Sequence, residues 1–154
     1  MNVMRVGQLL EDNEERCRIR TIPADADLET AIGEMARAGV SALIAMAGDL
    51  PVGILAERDV LRCHLRNRDR KFEDIPVREA MTDRLIVANA EDPASDAMAV
   101  MIQADIRHLP VIRDRRLAGM LTLGDLVRRQ VGALTAEIHY LQEYISDLQE
   151  AGLD

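Results

Sequence analysis

Residues 53–59 read GILAERD and residues 119–125 read GMLTLGD. In both, a glycine inside an apolar run leads over a short polar stretch to an aspartate, and the two phrases lie 66 positions apart. Sliding the chain against itself by that interval aligns Ala31 with Ala97, Met35 with Met101 and Leu43 with Leu109. The same shift aligns Gly53 with Gly119, Leu55 with Leu121, Asp59 with Asp125 and Arg62 with Arg128. No gap is needed between about residue 25 and residue 62, so the chain carries an internal duplication.

Working outward from the repeated phrase, each copy predicts the same order of elements. RIRTI (18–22) and RLIVA (84–88) read as short strands. DLETAIGEMARA (27–38) and PASDAMAVMIQA (93–104) place Leu28, Ala31, Ile32, Met35 and then Ala97, Met98, Met101, Ile102 at helical spacing. Asp27 suits the cap of the first helix and Pro93 the first turn of the second. Two hairpins follow, turning at AGDL (47–50) and at DRR (114–116), and a helix starts after each, near Glu57 and near Leu123. The expected fold is α/β of the α+β type, strand–helix–strand–strand–helix twice. A half of about 60 residues buries too little surface to stand alone, so the halves are expected to clasp each other about a pseudo-twofold axis. The predicted boundaries are 1–66 for the first repeat, 67–75 for a basic, solvated linker, 76–130 for the second repeat and 131–154 for a helical tail.

In GMLTLGD a strand ends and a helix begins. Thr122 and Asp125 alone make a Thr-x-x-Asp capping box, which is a common helix start. Three features point further. Gly119 sits within a strand, where glycine is unfavourable unless something approaches the backbone closely. A helix N-terminus seats phosphate. An ionised aspartate only accepts hydrogen bonds and so suits the two hydroxyls of a ribose.

Bulk composition excludes several classes. Net charge is −8 with pI near 4.9, which opposes general nucleic-acid binding and docking on an anionic membrane. Phe72, Tyr140 and Tyr144 are the whole aromatic complement, too few for a base-stacking platform. The N-terminus lacks an apolar signal region, no apolar run is long enough for a transmembrane helix, and Cys17 and Cys63 do not make a disulfide framework. A cytoplasmic protein with reduced thiols is expected.

The stretches MTDRLIVANAEDPASDAM, RHLPVI and RLAGMLTLGDLV resemble a cystathionine-β-synthase (CBS) domain, and TIPADADLETAI, GVSALIAM and PVGILAERDVLR resemble another. The resemblance covers about residues 1 to 130 and implies a CBS pair, or Bateman module. Such pairs bind adenosine-containing ligands (AMP, ADP, ATP, NADH, S-adenosylmethionine) in two clefts without catalysis, so no cofactor is required.

Carried over residue by residue, the resemblance implies two unequal clefts. In one, Asp125 takes the ribose, Thr122 and Gly124 lie by the phosphate, Arg107 reaches it, and adenine meets Ile22 and the Val40–Ser41–Ala42 stretch. In the other, Asp59 takes the ribose, with Ala88, Ile106 and His108 around the base. There Ala56 stands in place of the family's Ser or Thr. A hydrogen bond to a charged group contributes about 1.5–3 kcal/mol. The Thr122/Asp125 cleft is therefore expected to bind AMP or ADP more tightly, the Asp59 cleft staying weak unless Arg58 supplies compensating charge. His108 fits equally well as a part-buried, satisfied strand histidine.

In the tail, Val127, Val131, Leu134, Ile138, Leu141, Ile145 and Leu148 recur at heptad spacing, which predicts a long helix. A homodimer through the CBS faces and this helix is expected; a helix folded back on its own domain is the alternative. Ser41, Ser95 and Ser146 lie in no nucleophile elbow, and the cysteines and histidines lack metal-site spacing. An adenine-nucleotide sensor acting on an unidentified regulated protein is the favoured reading. A dimerisation scaffold with idle clefts is the alternative.

Overall fold

The computed structural model describes residues 3–15, 17–130 and 145–152. Helix α1 (Val6–Asp12) opens the chain, followed by β1 (Thr21–Pro23), α2 (Leu28–Ala38), β2 (Ala42–Ala47), β3 (Leu50–Ala56) and α3 (Glu57–Arg66). A 3-10 turn at Phe72–Asp74 leads to α4 (Val77–Ala80), β4 (Ala88–Asn89), α5 (Ala94–Ala104), β5 (His108–Arg113), β6 (Arg116–Thr122) and α6 (Leu123–Gln130). The strands form two three-stranded sheets, ordered β1-β2-β3 and β4-β5-β6, each with one parallel and one antiparallel pairing.

Local chemistry sets the element ends. Asp27 accepts a 2.8 Å hydrogen bond from the Thr30 N–H and so caps α2. Gly39 ends the same helix at φ +67°, a left-handed position that glycine adopts without strain. The second hairpin turns through Asp114 and Arg115 at φ +51° and +64°, the positive pair a two-residue turn needs.

The expected strands 18–22 and 84–88 are shorter and shifted. β1 is Thr21–Pro23 and β4 only Ala88–Asn89. The reason lies upstream of β4: Thr82 exchanges backbone hydrogen bonds of 2.9 Å with Ile54, so the chain runs along the other half's sheet before reaching its own. The expected linker is not wholly solvated either. Arg70 grips Glu79 at 2.8 Å and Ile75 is fully buried in the first half's core.

The halves exchange their leading segments. The α1 N–H groups of Val6 and Gly7 bond to the Asp92 and Ala90 carbonyls of the second half, while those of Val77 and Arg78 bond to Ala26 and Ala24 of the first. Val6, Leu9 and Leu10 accordingly join the core around Leu109, Val111 and Leu121, and Ile75, Val77 and Ala80 join that around Leu28, Leu43 and Leu55. A third cluster of Ala42, Ile44 and Met120 joins the halves directly. Burying apolar side chains from both halves in shared cores is what makes each half depend on the other.

The glycine of each repeated phrase has its reason here. A Cβ on Gly53 would stand 2.6 Å from Met81 Sδ and 2.9 Å from the Thr82 carbonyl; one on Gly119 would stand 2.7 Å from Leu10 Cδ2 and 2.9 Å from the Cys17 carbonyl. The close approach that the sequence implied is made by the exchanged segment, not by a ligand.

Most of the expected long tail helix lies outside the described residues, as do Val131, Leu134, Ile138 and Leu141 of its heptad. Residues 145–150 are helical, with Ile145 exposed. No helix among the described residues is long and apolar enough to cross a membrane.

Candidate functional site

The starts of α3 and α6 lie at the seam between the halves, because each follows the last strand of a sheet whose edge meets the other half. Between them opens a cavity of about 680 Å³. The first half contributes Ser41, Ile54, Ala56, Glu57, Arg58, Asp59 and Arg62 to its wall. The second contributes Thr82, Arg84–Ile86, Asp105–His108, Thr122–Gly124 and Val127. This volume is within the range of about 300–1,000 Å³ typical of small-molecule sites.

Asp59 is nearly buried, 8% exposed, and is fixed by two donors: the Ala56 N–H at 2.8 Å to Oδ2 and the Thr82 hydroxyl at 3.1 Å to Oδ1. A carboxylate has about four acceptor positions, so two remain for a ligand's hydroxyls. The Thr82 contact links the two halves, since Thr82 belongs to the segment exchanged onto β3.

Asp125 is equally buried but otherwise engaged. Its Oδ2 accepts both the Thr122 N–H at 3.0 Å and the Thr122 hydroxyl at 2.8 Å, and Arg128 lies 3.6 Å from Oδ1. The Asp125 N–H returns a 3.1 Å bond to Thr122 Oγ1, which completes the capping box expected from the sequence. Ala56 has no hydroxyl, so α3 carries only the carboxylate half of such a box, and Asp59 is left with Thr82 instead.

Of the residues singled out from the sequence, Ser41, Ala56, Arg58, Asp59, Ile106, Arg107, His108, Thr122 and Gly124 come together on this one wall. Residues assigned to two separate clefts are thus shared by a single cavity on the Asp59 side. Ile22, Val40, Ala42, Ala88 and Asp125 are not on it. Strand alternation turns Ile22 inward, 5% exposed, with Val40 packed against the same core. Ala42 belongs to the cluster between the halves. Ala88 is buried in the second core and borders a separate cavity of about 60 Å³. The ranking that put the Thr122/Asp125 cleft first meets an Asp125 closed into its own helix cap and absent from the cavity wall, where Asp59 is present.

His108 both lines the cavity and shares a 2.6 Å hydrogen bond between Nε2 and Ser41 Oγ across the seam. Burial lowers its pKa below the usual histidine value, aided by the nearby Arg107 and Arg58 and opposed by Glu57 and Asp59. The fold therefore favours a neutral ring at this position.

Sequence reasoning missed Ile54, Glu57, Arg62, Thr82, Arg84, Leu85, Ile86, Asp105, Leu123 and Val127 as wall residues. For Arg62 there was a signal, its recurrence as Arg128 under the 66-residue shift. Thr82 and Arg84 had none, because only the exchange of leading segments brings them to Asp59.

The CBS domain model matches residues 15–66 and 77–132. Among curated relatives, a mitochondrial CBS domain-containing protein of Arabidopsis thaliana, CBSX3, is 33% identical over 126 residues, covering 79% of this chain and 61% of that protein. The chain thus spans less than two thirds of that relative. The CBS domain-containing protein YhcV of Bacillus subtilis (strain 168) is 30% identical over 115 residues, covering 74% of this chain and 80% of that protein. The crystal structure of the CBS domain NE2398 superposes with a TM-score of 0.77 at 31% identity, covering 84% of this chain and 99% of that one. The CBS domain pair of protein MJ0100, solved in complex with 5′-methylthioadenosine and S-adenosyl-L-methionine, shares the fold with a TM-score of 0.71 at 20% identity, covering 86% of this chain and 99% of that one. Two matched domains, two exchanged halves and relatives that are themselves CBS proteins lead to one identification: the chain belongs to the CBS domain family, as a CBS-pair regulatory module.

Proposed function

We propose that this CBS pair is a non-catalytic sensor that binds an adenosine-containing ligand of the AMP, ADP or ATP class in the cavity on the Asp59 side, and that occupancy changes how the halves present themselves to a regulated protein. The observation that carries this is the cavity of about 680 Å³ built from both halves, with the buried Asp59 carboxylate on its wall. A ligand there touches residues of both repeats, so it favours one relative arrangement over another to the extent that it binds that arrangement more tightly. The 5′-methylthioadenosine and S-adenosylmethionine bound by the MJ0100 pair support the adenosine class, and NADH belongs to the same test. Exposed Leu61 and Leu65 on α3 and Val127 on α6 support association of two modules through these helices. The burial of Cys17 and Cys63 within the two separate cores is in keeping with a cytoplasmic setting.

A melting screen with AMP, ADP, ATP, NADH and S-adenosylmethionine tests the proposal. A bound ligand at about 100 times its Kd stabilises the fold by about 2.7 kcal/mol and raises Tm. Asp59→Ala is expected to remove that rise, while Asp125→Ala keeps it after allowance for its lower starting Tm. Absence of any shift at millimolar ligand would leave the dimerisation scaffold as the better reading.

A further inference from the structure

Two of the contacts between the halves have opposite character. One is the apolar cluster of Ala42, Ile44 and Met120, none of which is on the cavity wall. The other is polar and lies on that wall: Ser41, just before β2, and His108, at the start of β5, share a 2.6 Å hydrogen bond. Under the 66-residue shift His108 corresponds to Ala42, so one strand start carries an ionisable ring where its counterpart carries a methyl group. The backbone ties both strand starts to the closing helices. The Ser41 carbonyl accepts the Glu57 N–H at 3.1 Å and the Arg107 carbonyl accepts the Leu123 N–H at 3.0 Å, so the first turns of α3 and α6 hang on them. The charged groups sharing the wall with His108 are Glu57, Arg58, Asp59 and Arg62 of α3, Arg84 before β4, and Asp105 and Arg107 before β5. Asp105 lies 3.6 Å from Arg58, and Asp59 accepts from Ala56 and Thr82.

We propose that the Ser41–His108 contact is a proton-sensitive latch: with the ring neutral it holds the cavity side of the seam closed, and protonation releases that side while Ala42, Ile44 and Met120 keep the halves joined. A neutral ring satisfies Ser41 in either tautomer, because the hydroxyl both donates and accepts. Protonation does not by itself remove the bond, since the Nε2–H then donates to Oγ. It puts a full charge in a part-buried place, a cost that is relieved when the ring moves into water. Burial is the main reason the ring resists a proton, with Arg107 and Arg58 adding to it and Glu57 and Asp59 opposing. In the open arrangement the ring meets water and regains the ordinary histidine pKa of about 6.5. The closed arrangement is therefore favoured in full above that pH and loses ground as pH falls toward the lowered value. One proton is taken up on opening, so within that window the ratio of closed to open falls by at most about tenfold per pH unit. The buried members of the apolar cluster carry no titratable group and do not respond. The latch does not depend on which ligand the cavity takes, so it can fail while the adenosine reading survives.

Amide hydrogen exchange of the full chain without ligand, followed from about pH 8 to pH 5.5 around the histidine range and corrected for the pH dependence of the intrinsic rates, is the test. Ile54 and Thr82 report on the cavity side, where their mutual 2.9 Å backbone bonds tie β3 to the chain entering the second half. Met120, whose N–H bonds to the Cys17 carbonyl at 2.8 Å, reports on the apolar cluster. Protection at Ile54 and Thr82 is expected to fall by about threefold to tenfold as pH drops, while that at Met120 holds. His108→Gln should make Ile54 and Thr82 as indifferent to pH as Met120. Ser41→Ala, which removes the bond and leaves the ring, should lower protection at Ile54 and Thr82 by about fivefold at the upper pH and keep the further fall toward the lower one. A Ser41→Ala chain as protected as the wild type would show that the bond holds nothing closed. Loss of protection at all three amides together would mean general loosening and overturn the latch. So would a fall that persists unchanged in His108→Gln, or no fall in the wild type.

Discussion

Asp59 and Asp125 occupy the same place in the two repeats, three residues past the end of a strand, and both are 8% exposed. Their surroundings differ by one hydroxyl. Where Thr122 begins α6, both of its donors turn inward onto Asp125. Where Ala56 begins α3, Asp59 keeps the backbone N–H of that residue but lacks the hydroxyl, and takes the Thr82 hydroxyl of the other half instead. One copy has committed its carboxylate to its own helix; the other has placed it on the wall of a cavity between halves. The two carboxylates each accept two hydrogen bonds, but both of Asp125's fall on one oxygen with Arg128 3.6 Å from the other, whereas Asp59 spends one on each oxygen and lies on the cavity wall.

The sharpest way to break this comparison is to ask whether the copies are equivalent wherever architecture alone is at stake. Gly53→Ala and Gly119→Ala each drive a Cβ to 2.9 Å from a backbone carbonyl, of Thr82 and Cys17 respectively, and a carbonyl does not yield as a side chain does. Each is expected to destabilise the protein by about 1–3 kcal/mol in urea titrations. A large difference between the two would show that the exchanged segments do not dock alike.

A smaller effect sharpens the contrast between the carboxylates. Ala56 has φ −107° and ψ 166°, the extended geometry of a helix cap, so Ala56→Thr needs no backbone change. The new hydroxyl should accept from the Asp59 N–H, as Thr122 does from Asp125, and stabilise the fold by about 1 kcal/mol in the same titration. If the added donor also draws Asp59 into its own cap, ligand affinity falls even as stability rises. An increase in both would mean that the introduced hydroxyl contacts the ligand directly.

The smallest expected effect concerns His108, which stands where the other repeat has Ala42 under the 66-residue shift. Its folded pKa lies below the unfolded value, so the unfolded chain takes up a proton that the folded chain does not. The stability this confers is present above the ordinary histidine pKa of about 6.5 and is lost as pH falls toward the lowered folded value. Tm measured at pH 8 and pH 5.5 should fall more in the wild-type chain than in His108→Gln. Equal falls would mean that the ring is protonated in the fold without penalty.

The duplication, the hairpins with their turns, the Asp27 cap and the Thr122–Asp125 box were all legible, because each depends on residues a few positions apart. The exchanged segments were not. Val6 corresponds to Val77, an interval of 71 rather than 66, since the first copy holds five more residues between this valine and the start of the following helix. An ungapped self-comparison passes over it. With that segment hidden, Thr82 and Arg84 had no reason to be placed beside Asp59.

The sequence by itself determined two repeats, their element order, and a carboxylate at the head of each closing helix, since spacing and capping act within one segment of chain. Only the tertiary structure decided how the two copies differ: that Asp59 faces a cavity whose wall lacks Asp125, and that four arginines from three segments share that wall. Those outcomes depend on distances between residues remote in the chain, which packing fixes and local pattern does not encode.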